Sequence, residues 1–231
     1  MSKLLEAFGI ALRMIATGDP VVFSIALRTL AISATSTVLA SLVSVPVGCL
    51  VHFSSFRGKR LLTSVIHALY SLPTVFVGML VFLVLSRSGP AGGLGLLFTP
   101  AAIVLGETLL ISPIVTGLTL SALGGAGTEL ADTARSLGAG RTRMALKVLA
   151  ESKPAVVSSV LMGFGRAVSE VGVAIIAGGN IAGYTRTLST AIALGVGMGE
   201  TAESIALGLI LLLCALVVSV TVLFLRNRSP A

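Results

Sequence analysis

The chain has 231 residues, of which 55% are hydrophobic before its 26 glycines are counted, and only 11% are charged. A soluble domain carries roughly 25% charged residues, and a water-soluble globule of this composition would lack the polar surface to cover its apolar side chains. An ordinary cytosolic enzyme, a disordered tail and a disulfide scaffold are excluded, which leaves a polytopic membrane protein. Long apolar runs without strict alternation make it all-α, because hydrocarbon requires every backbone polar group to be bonded within the protein. The formal net charge of +7 points to cytoplasmic loops of a membrane protein rather than to nucleic acid.

Residues 1–19 come first, an amphipathic stretch with Lys3, Glu6 and Arg13 on its polar side and Gly18-Asp19-Pro20 at its end. It reads as an N-terminal interfacial helix, with a short extra span as the alternative. Glu6 and Arg13 interrupt its apolar run and no small-residue cleavage site follows, so no signal peptide is expected. The remainder, 20–231, reads as one transmembrane domain. A span needs about 20 apolar residues, and segments 25–51, 61–85, 101–123, 155–177 and 205–225 meet that length. Cys49 and Cys214 lie inside apolar runs and read as buried small hydrophobes. His52 and His67 flank one loop, and neither has metal-ligand spacing to a cysteine, so no metal site is expected.

Loop charges set the orientation. Loop 52–60 holds Arg57, Lys59 and Arg60; segment 124–154 holds Arg135, Arg141, Arg143, Lys147 and Lys153; the tail holds Arg226 and Arg228. All of these fall on one side of the five-span arrangement, while loops 86–100 and 178–204 hold only Arg87 and Arg186. The positive-inside rule places loop 124–154 and the C-terminus in the cytoplasm.

Segment 124–154 is too long for a bare connector. Gly124-Gly125-Ala126-Gly127 is expected to end the third span, with Thr128 capping a new short helix that has Glu129 and Asp132 in its first turns. Gly138 or Gly140 would end that helix, and a second piece would run over 141–151. The alternatives are a solvated loop at the membrane surface and a protruding helix that docks into another protein, where Ala131, Ala134 and Gly138 allow close approach and charges fix orientation.

The run Asp132-Thr133-Ala134-Arg135-Ser136-Leu137-Gly138-Ala139 resembles the E-A-A-x-x-x-G loop of ABC importer permeases. Asp132 stands for the acidic residue, Thr133 and Ala134 for the alanines, Gly138 for the glycine and Val148 for a later isoleucine. Ala150 and Glu151 replace the leucine and proline of that pattern, and Pro154 follows late. The resemblance implies a type I ABC importer permease (MetI-like) fold. It also implies a coupling helix, including Glu129, Asp132, Thr133, Ala134, Gly138 and Ala139, seated in a groove of a separate ATPase subunit. No G-x-x-x-x-G-K-[ST] phosphate loop occurs; Gly58-Lys59 has Phe53 at the upstream position and Arg60 after it. ATP and Mg are therefore expected on the partner, and no cofactor in this chain.

In the fourth span, Arg166 and Glu170 lie roughly 17 Å and roughly 23 Å from its cytoplasmic end at 1.5 Å per residue, inside the hydrocarbon layer. An unpaired charge there costs several kcal/mol, and their spacing puts them on one helix face where they can pair. They read as a structural ion pair or, with Ser169, as part of the path of an anionic substrate, Arg166 lining it and Glu170 holding Arg166. Glu107 in the third span is expected as a further intramembrane charge in contact with Arg166, or as a polar contact between helices. The glycine-rich stretch after the span ends at Thr187 or Ser189, either of which can start a short outer helix.

The runs Ser169-Glu170-Val171-Gly172, Gly178-Gly179-Asn180-Ile181 and Gly183-Tyr184-Thr185-Arg186-Thr187-Leu188-Ser189-Thr190 are similar to permeases of the tungstate/molybdate importers, and the Tyr-Thr-Arg form is closest to the tungstate (TupB-like) branch. That resemblance implies anion transport across the prokaryotic cytoplasmic (inner) membrane, of tungstate, with molybdate or another oxyanion such as sulfate as the alternative. It implies an outer contact, through Gly179, Asn180, Tyr184, Thr185 and Arg186, with a periplasmic or extracellular oxyanion-binding protein. Arg186 and backbone N–H groups could instead hold the anion directly. The expected partners are two ATPase subunits, the binding protein, membrane lipid and a second copy of the chain, since five spans are too few to enclose a wide path. The rival is an ion-coupled secondary transporter with Glu107 and Glu170 as ion sites, which would predict an internal repeat that the sequence does not show. A membrane-embedded enzyme would want clustered His, Asp or Glu near one interface, which is also missing.

Overall fold

The computed structural model describes the backbone of residues 2–136 and 140–227 and the side chains of residues 5–125 and 143–225. Among the described residues all regular structure is helical: α1 (Ser2–Thr17), α2 (Pro20–Phe53), α3 (Lys59–Ala68), α4 (Thr74–Leu85), α5 (Pro100–Ser136), α6 (Arg141–Glu151), α7 (Lys153–Val168), α8 (Gly172–Gly178), α9 (Leu188–Met198) and α10 (Thr201–Asn227).

Asp19 separates α1 from α2. The sequence suggests a stop there, and the structure adds a start: Asp19 Oδ1 accepts from the N–H groups of Val21 and Val22, at 2.9 and 3.1 Å, with Pro20 opening the helix. α1 lays Ala7 and Ala11 against the bundle, where Ala11 joins Val22, Ile25, Leu188 and Leu207 in one apolar cluster.

α2 and α5 form the centre. They meet along small and hydroxylated residues, which let two backbones approach closely in a membrane. Ser44 Oγ donates to Ser112 O at 3.0 Å, Thr108 Oγ1 donates to Ser36 O at 3.3 Å, and Gly48 packs against Thr119.

Three segments, Pro20–Phe53, Pro100–Gly125 and Thr201–Leu225, are long and apolar enough to cross a membrane as single helices. The second and fourth spans occupy the expected segments but are broken, α3 with its continuation to Ser71 meeting α4 at 94° and α7 meeting α8 at 59°. With each bent pair as one span, the count reaches five. At the first break Leu72 is extended (φ −56, ψ 127) ahead of Pro73, as the proline ring requires of its predecessor. The second break has no proline. There the Glu170 carboxylate takes the N–H of Val173 at 3.1 Å, so α8 starts afresh on a side-chain cap. A straight-helix depth scale therefore stops applying at Val168.

The expected break at Gly124–Gly127 is absent, and Thr128 lies inside a helix: α5 runs through to Ser136. Glycine costs about 1 kcal/mol in a helix but keeps both of its backbone bonding groups, so it weakens the helix without ending it. α6 keeps the expected bounds, and α9 starts at the expected cap, Thr187, with a reciprocal Thr187–Thr190 capping box.

The two bent spans pack together. Val77, Val81, Leu110, Val173 and Ala177 make a cluster of α4, α5 and α8. Phe98 N donates to Ala177 O at 2.9 Å, which sets the start of α5 beside the end of α8. At its other end α5 contributes Leu120 to a cluster with Val51 and Ile66. Loop 52–60 therefore lies at the 124–154 end of α5, and segment 179–187 at the opposite end.

A Cβ on Gly172 would lie 2.6 Å from Thr74 Oγ1 and 2.9 Å from Val75 N, and one on Gly78 would lie 3.1 Å from Gly172 O. Gly172→Val should therefore cost about 1–3 kcal/mol through overpacking and lower the thermal midpoint of the purified protein in detergent. Gly197→Ala, with nothing within 4 Å of the added carbon, should leave the midpoint unchanged or raised. Equal midpoints for both would contradict this packing.

Candidate functional site: a polar network at the break in the fourth span

Arg166 lies in the last turn of α7 and Glu170 in the break after it. Arg166 Nη1 donates to Glu170 Oε2 at 2.7 Å, with the two side chains 36% and 1% exposed. The expected pair therefore forms, although its members are not on one continuous helix. The other carboxylate oxygen caps α8 through Val173, so one buried carboxylate neutralises a guanidinium and replaces a lost helical hydrogen bond. Its main-chain carbonyl accepts from Ser189 Oγ of α9. Ser169 is exposed beside this pair, its hydroxyl donating to Gly165 O at 3.1 Å.

Glu107 in α5 is 2% exposed, and its Oε2 lies 2.8 Å from Ser36 Oγ in α2. The expected contact of Glu107 with Arg166 is not made: Arg166 pairs with Glu170, and Glu107 is held by a hydroxyl. Its reading as a polar contact between helices is the one the geometry supports.

Segment 179–187 is locked from inside. Gly179 has φ +72 and sits under the Phe98 ring, 2.8 Å from where its Cβ would be, so a side chain there would be both strained and blocked. Asn180 also has positive φ, and its Nδ2 donates to Thr190 O at 3.5 Å. Thr185 is wholly buried, its hydroxyl donating to Gly178 O at 2.6 Å and accepting from Ile181 N at 2.9 Å. Expected as a contact for an outside partner, Thr185 instead holds the turn. Tyr184, 48% exposed, and Ile181, 43% exposed, are presented outward. Arg186 is half-buried, with its main-chain oxygen engaged by the chain itself.

The group that engages it is Arg28 of α2, whose guanidinium donates to Arg186 O at 3.2 Å and Gly183 O at 2.9 Å. Arg28 belongs to none of the motifs in the sequence, and its one signal there is that an arginine in an apolar helix needs a partner. Thr29 beside it accepts from Leu188 N at 2.8 Å.

Of the expected ATPase-coupling residues, Glu129, Asp132, Thr133 and Ala134 lie in the last turns of α5 with their side chains outside the described residues, and Gly138 and Ala139 lie outside the described residues altogether.

The geometry can position one intramembrane guanidinium, part-paired and part-exposed, beside a helix break. Such a group can offer its remaining N–H donors to an anion without leaving a free positive charge in hydrocarbon. Removing it would strand the Glu170 carboxylate. Arg166→Ala should cost about 3 kcal/mol, the low end for breaking a buried pair because the guanidinium is 36% exposed. Adding Glu170→Gln should recover most of the loss in a double-mutant cycle read by thermal unfolding. Strictly additive losses would contradict the pairing.

Residues 44–229 match the family model described as binding-protein-dependent transport system inner membrane component. The chain is 38% identical over 228 residues to the tungstate uptake system permease protein TupB of Peptoclostridium acidaminophilum, covering 99% of this chain and all of that protein. It is 40% identical over 225 residues to a probable anion ABC transporter permease protein of Haloferax volcanii, covering 94% and 97% of the two chains. Its fold matches that of a chain in an inward-facing structure of the MetNI methionine ABC transporter, with a TM-score of 0.69, 19% identity, and 90% and 95% of the two chains covered. The polytopic helical bundle with its broken spans is thus a multi-pass membrane protein of the binding-protein-dependent transport system inner membrane component family.

Proposed function

We propose that the chain is the permease subunit of an ABC importer that moves tungstate across the cytoplasmic membrane, driven by ATP hydrolysis in a separate subunit. The observation that carries this reading is the end-to-end similarity to a tungstate uptake permease. The intramembrane guanidinium of Arg166, held by Glu170 beside exposed Ser169, supplies a chemical rationale for a dianionic cargo.

In this reading two copies of the chain enclose the path. The apolar side chains Leu212, Leu213, Leu216 and Val217 on α10 turn away from the chain's own core, toward lipid or the second copy. Loops 52–60 and 124–154 face the cytoplasm. Their location at the same end of α5 supports this, because the basic residues Arg57, Arg60, Arg143, Lys147 and Lys153 are then gathered at one membrane surface. Two ATPase subunits, which bind ATP and Mg, dock at the segment from Asp132 to Gly138. The oxyanion-binding protein docks at the opposite end, on the face that presents Ile181 and Tyr184. ATP-driven closure of the ATPase pair moves the α5–α6 connection and reorients the bundle.

Gly138→Trp should abolish co-purification of the ATPase while the chain still inserts in the membrane. Cells carrying it in place of the wild type should lose uptake of radiolabelled tungstate to the level of a deletion strain. Retained co-purification with normal uptake would overturn the docking assignment. Normal uptake in the deletion strain, with no second tungstate carrier present, would overturn the transport reading.

A further inference from the structure

We infer that Ser189 is a positioning residue that couples the outer segment to the bend of the fourth span, so that a protein docking on residues 179–187 sets the angle between α7 and α8. The inference rests on the importer reading and adds to it a specific mechanical link.

The first helical hydrogen bond of α8 is donated by Ile175 N to Val171 O. The carbonyl of Glu170 lies ahead of that ladder, and the N–H of Val173 is already taken by the Glu170 side chain. The break therefore leaves a buried carbonyl that needs a donor from elsewhere. Ser189, 5% exposed in the first turn of α9, supplies it. Its hydroxyl also lies 3.2 Å from Thr187 Oγ1, within the cap that starts α9. Residues 170–189 thus form a ring of chain, pinned at the break by one side-chain hydrogen bond.

The rest of the ring is stiff. Thr185 ties Ile181 to Gly178, Arg28 ties Gly183 and Arg186 to α2, and Thr29 ties Leu188 to the same helix. The exposed side chains of Ile181 and Tyr184 stand on this locked turn. A displacement of the turn passes through the α9 cap to the Glu170 carbonyl instead of being absorbed within the loop. The same residue carries the carboxylate that holds Arg166, so the pin reaches both the bend and the intramembrane charge.

The test uses the complete complex, permease with its ATPase in nanodiscs, and reads ATP hydrolysis with and without tungstate-loaded binding protein. Ser189→Ala should reduce the stimulation by the binding protein about fivefold or more, the size of a modest coupling free energy, while basal hydrolysis stays within about twofold. Ser189→Thr, which keeps the hydroxyl, should restore the stimulation. Unchanged stimulation in Ser189→Ala would overturn the inference. So would a parallel fall of basal and stimulated rates, which is what a purely stabilising hydrogen bond produces. A wild-type complex that hydrolyses ATP but ignores the loaded binding protein would overturn the importer reading and this inference with it.

Discussion

A membrane interior holds no water to satisfy a loose backbone group, and this chain breaks two of its spans all the same. Everything distinctive in the structure follows from how those breaks are satisfied. At Leu72–Pro73 the proline has no N–H to lose, so the chain turns by 94° with one orphan donor fewer. At 169–171 the solution is polar: the Glu170 carboxylate caps α8, Arg166 neutralises the carboxylate, and Ser189 takes the freed carbonyl. Irregular backbone at membrane depth is tolerated where protein buries it or where it lines a cavity. Here Gly78 and Gly172 bring α4 against α8 so closely that each half-helix shields the start of the other.

The same constraint links the fold to its function. In a straight fourth span the Glu170 carbonyl would be spent within the helix and could not accept from Ser189. The break turns Glu170 into a junction among α7, α8 and α9, and α2 joins through Arg28, which holds Gly183 and Arg186, and through Thr29, which holds Leu188 at the start of α9. A transporter needs elements with two discrete arrangements rather than a uniformly rigid bundle. Beside the continuous α5, the short half-helix α8 is anchored at its start by the Glu170 cap and the Ser189 hydroxyl.

Much of this was legible in the residues themselves. The five apolar segments, the α9 cap at Thr187, the bounds of α6 and the Arg166–Glu170 pair all follow from hydropathy, capping chemistry and four-residue spacing. The pair survives the break because two long side chains bridge what the helix no longer does. What could not be read was which of two locally allowed arrangements the fold selects. At residues 169–171 a glutamate ahead of an apolar run suits a helix interior as well as a cap on the N–H three residues on, and the carbonyl that the break frees is satisfied by Ser189, nineteen residues away. Thr185 carries the same motif whether it faces out or in, and only its bonds to Gly178 and Ile181 reveal that it faces in. Gly124–Gly127 look like a terminator on propensity alone, yet helix runs through them, because a weak former is not a breaker.

The central claim is that this helical bundle imports an oxyanion using energy from a separate ATPase. The most direct measurement is uptake into proteoliposomes containing the chain with its ATPase, with tungstate-loaded binding protein outside and ATP and Mg inside. The expected result is accumulation of tungstate that requires internal ATP and the external binding protein together. Accumulation that persists without ATP and follows an imposed proton or sodium gradient would contradict the claim.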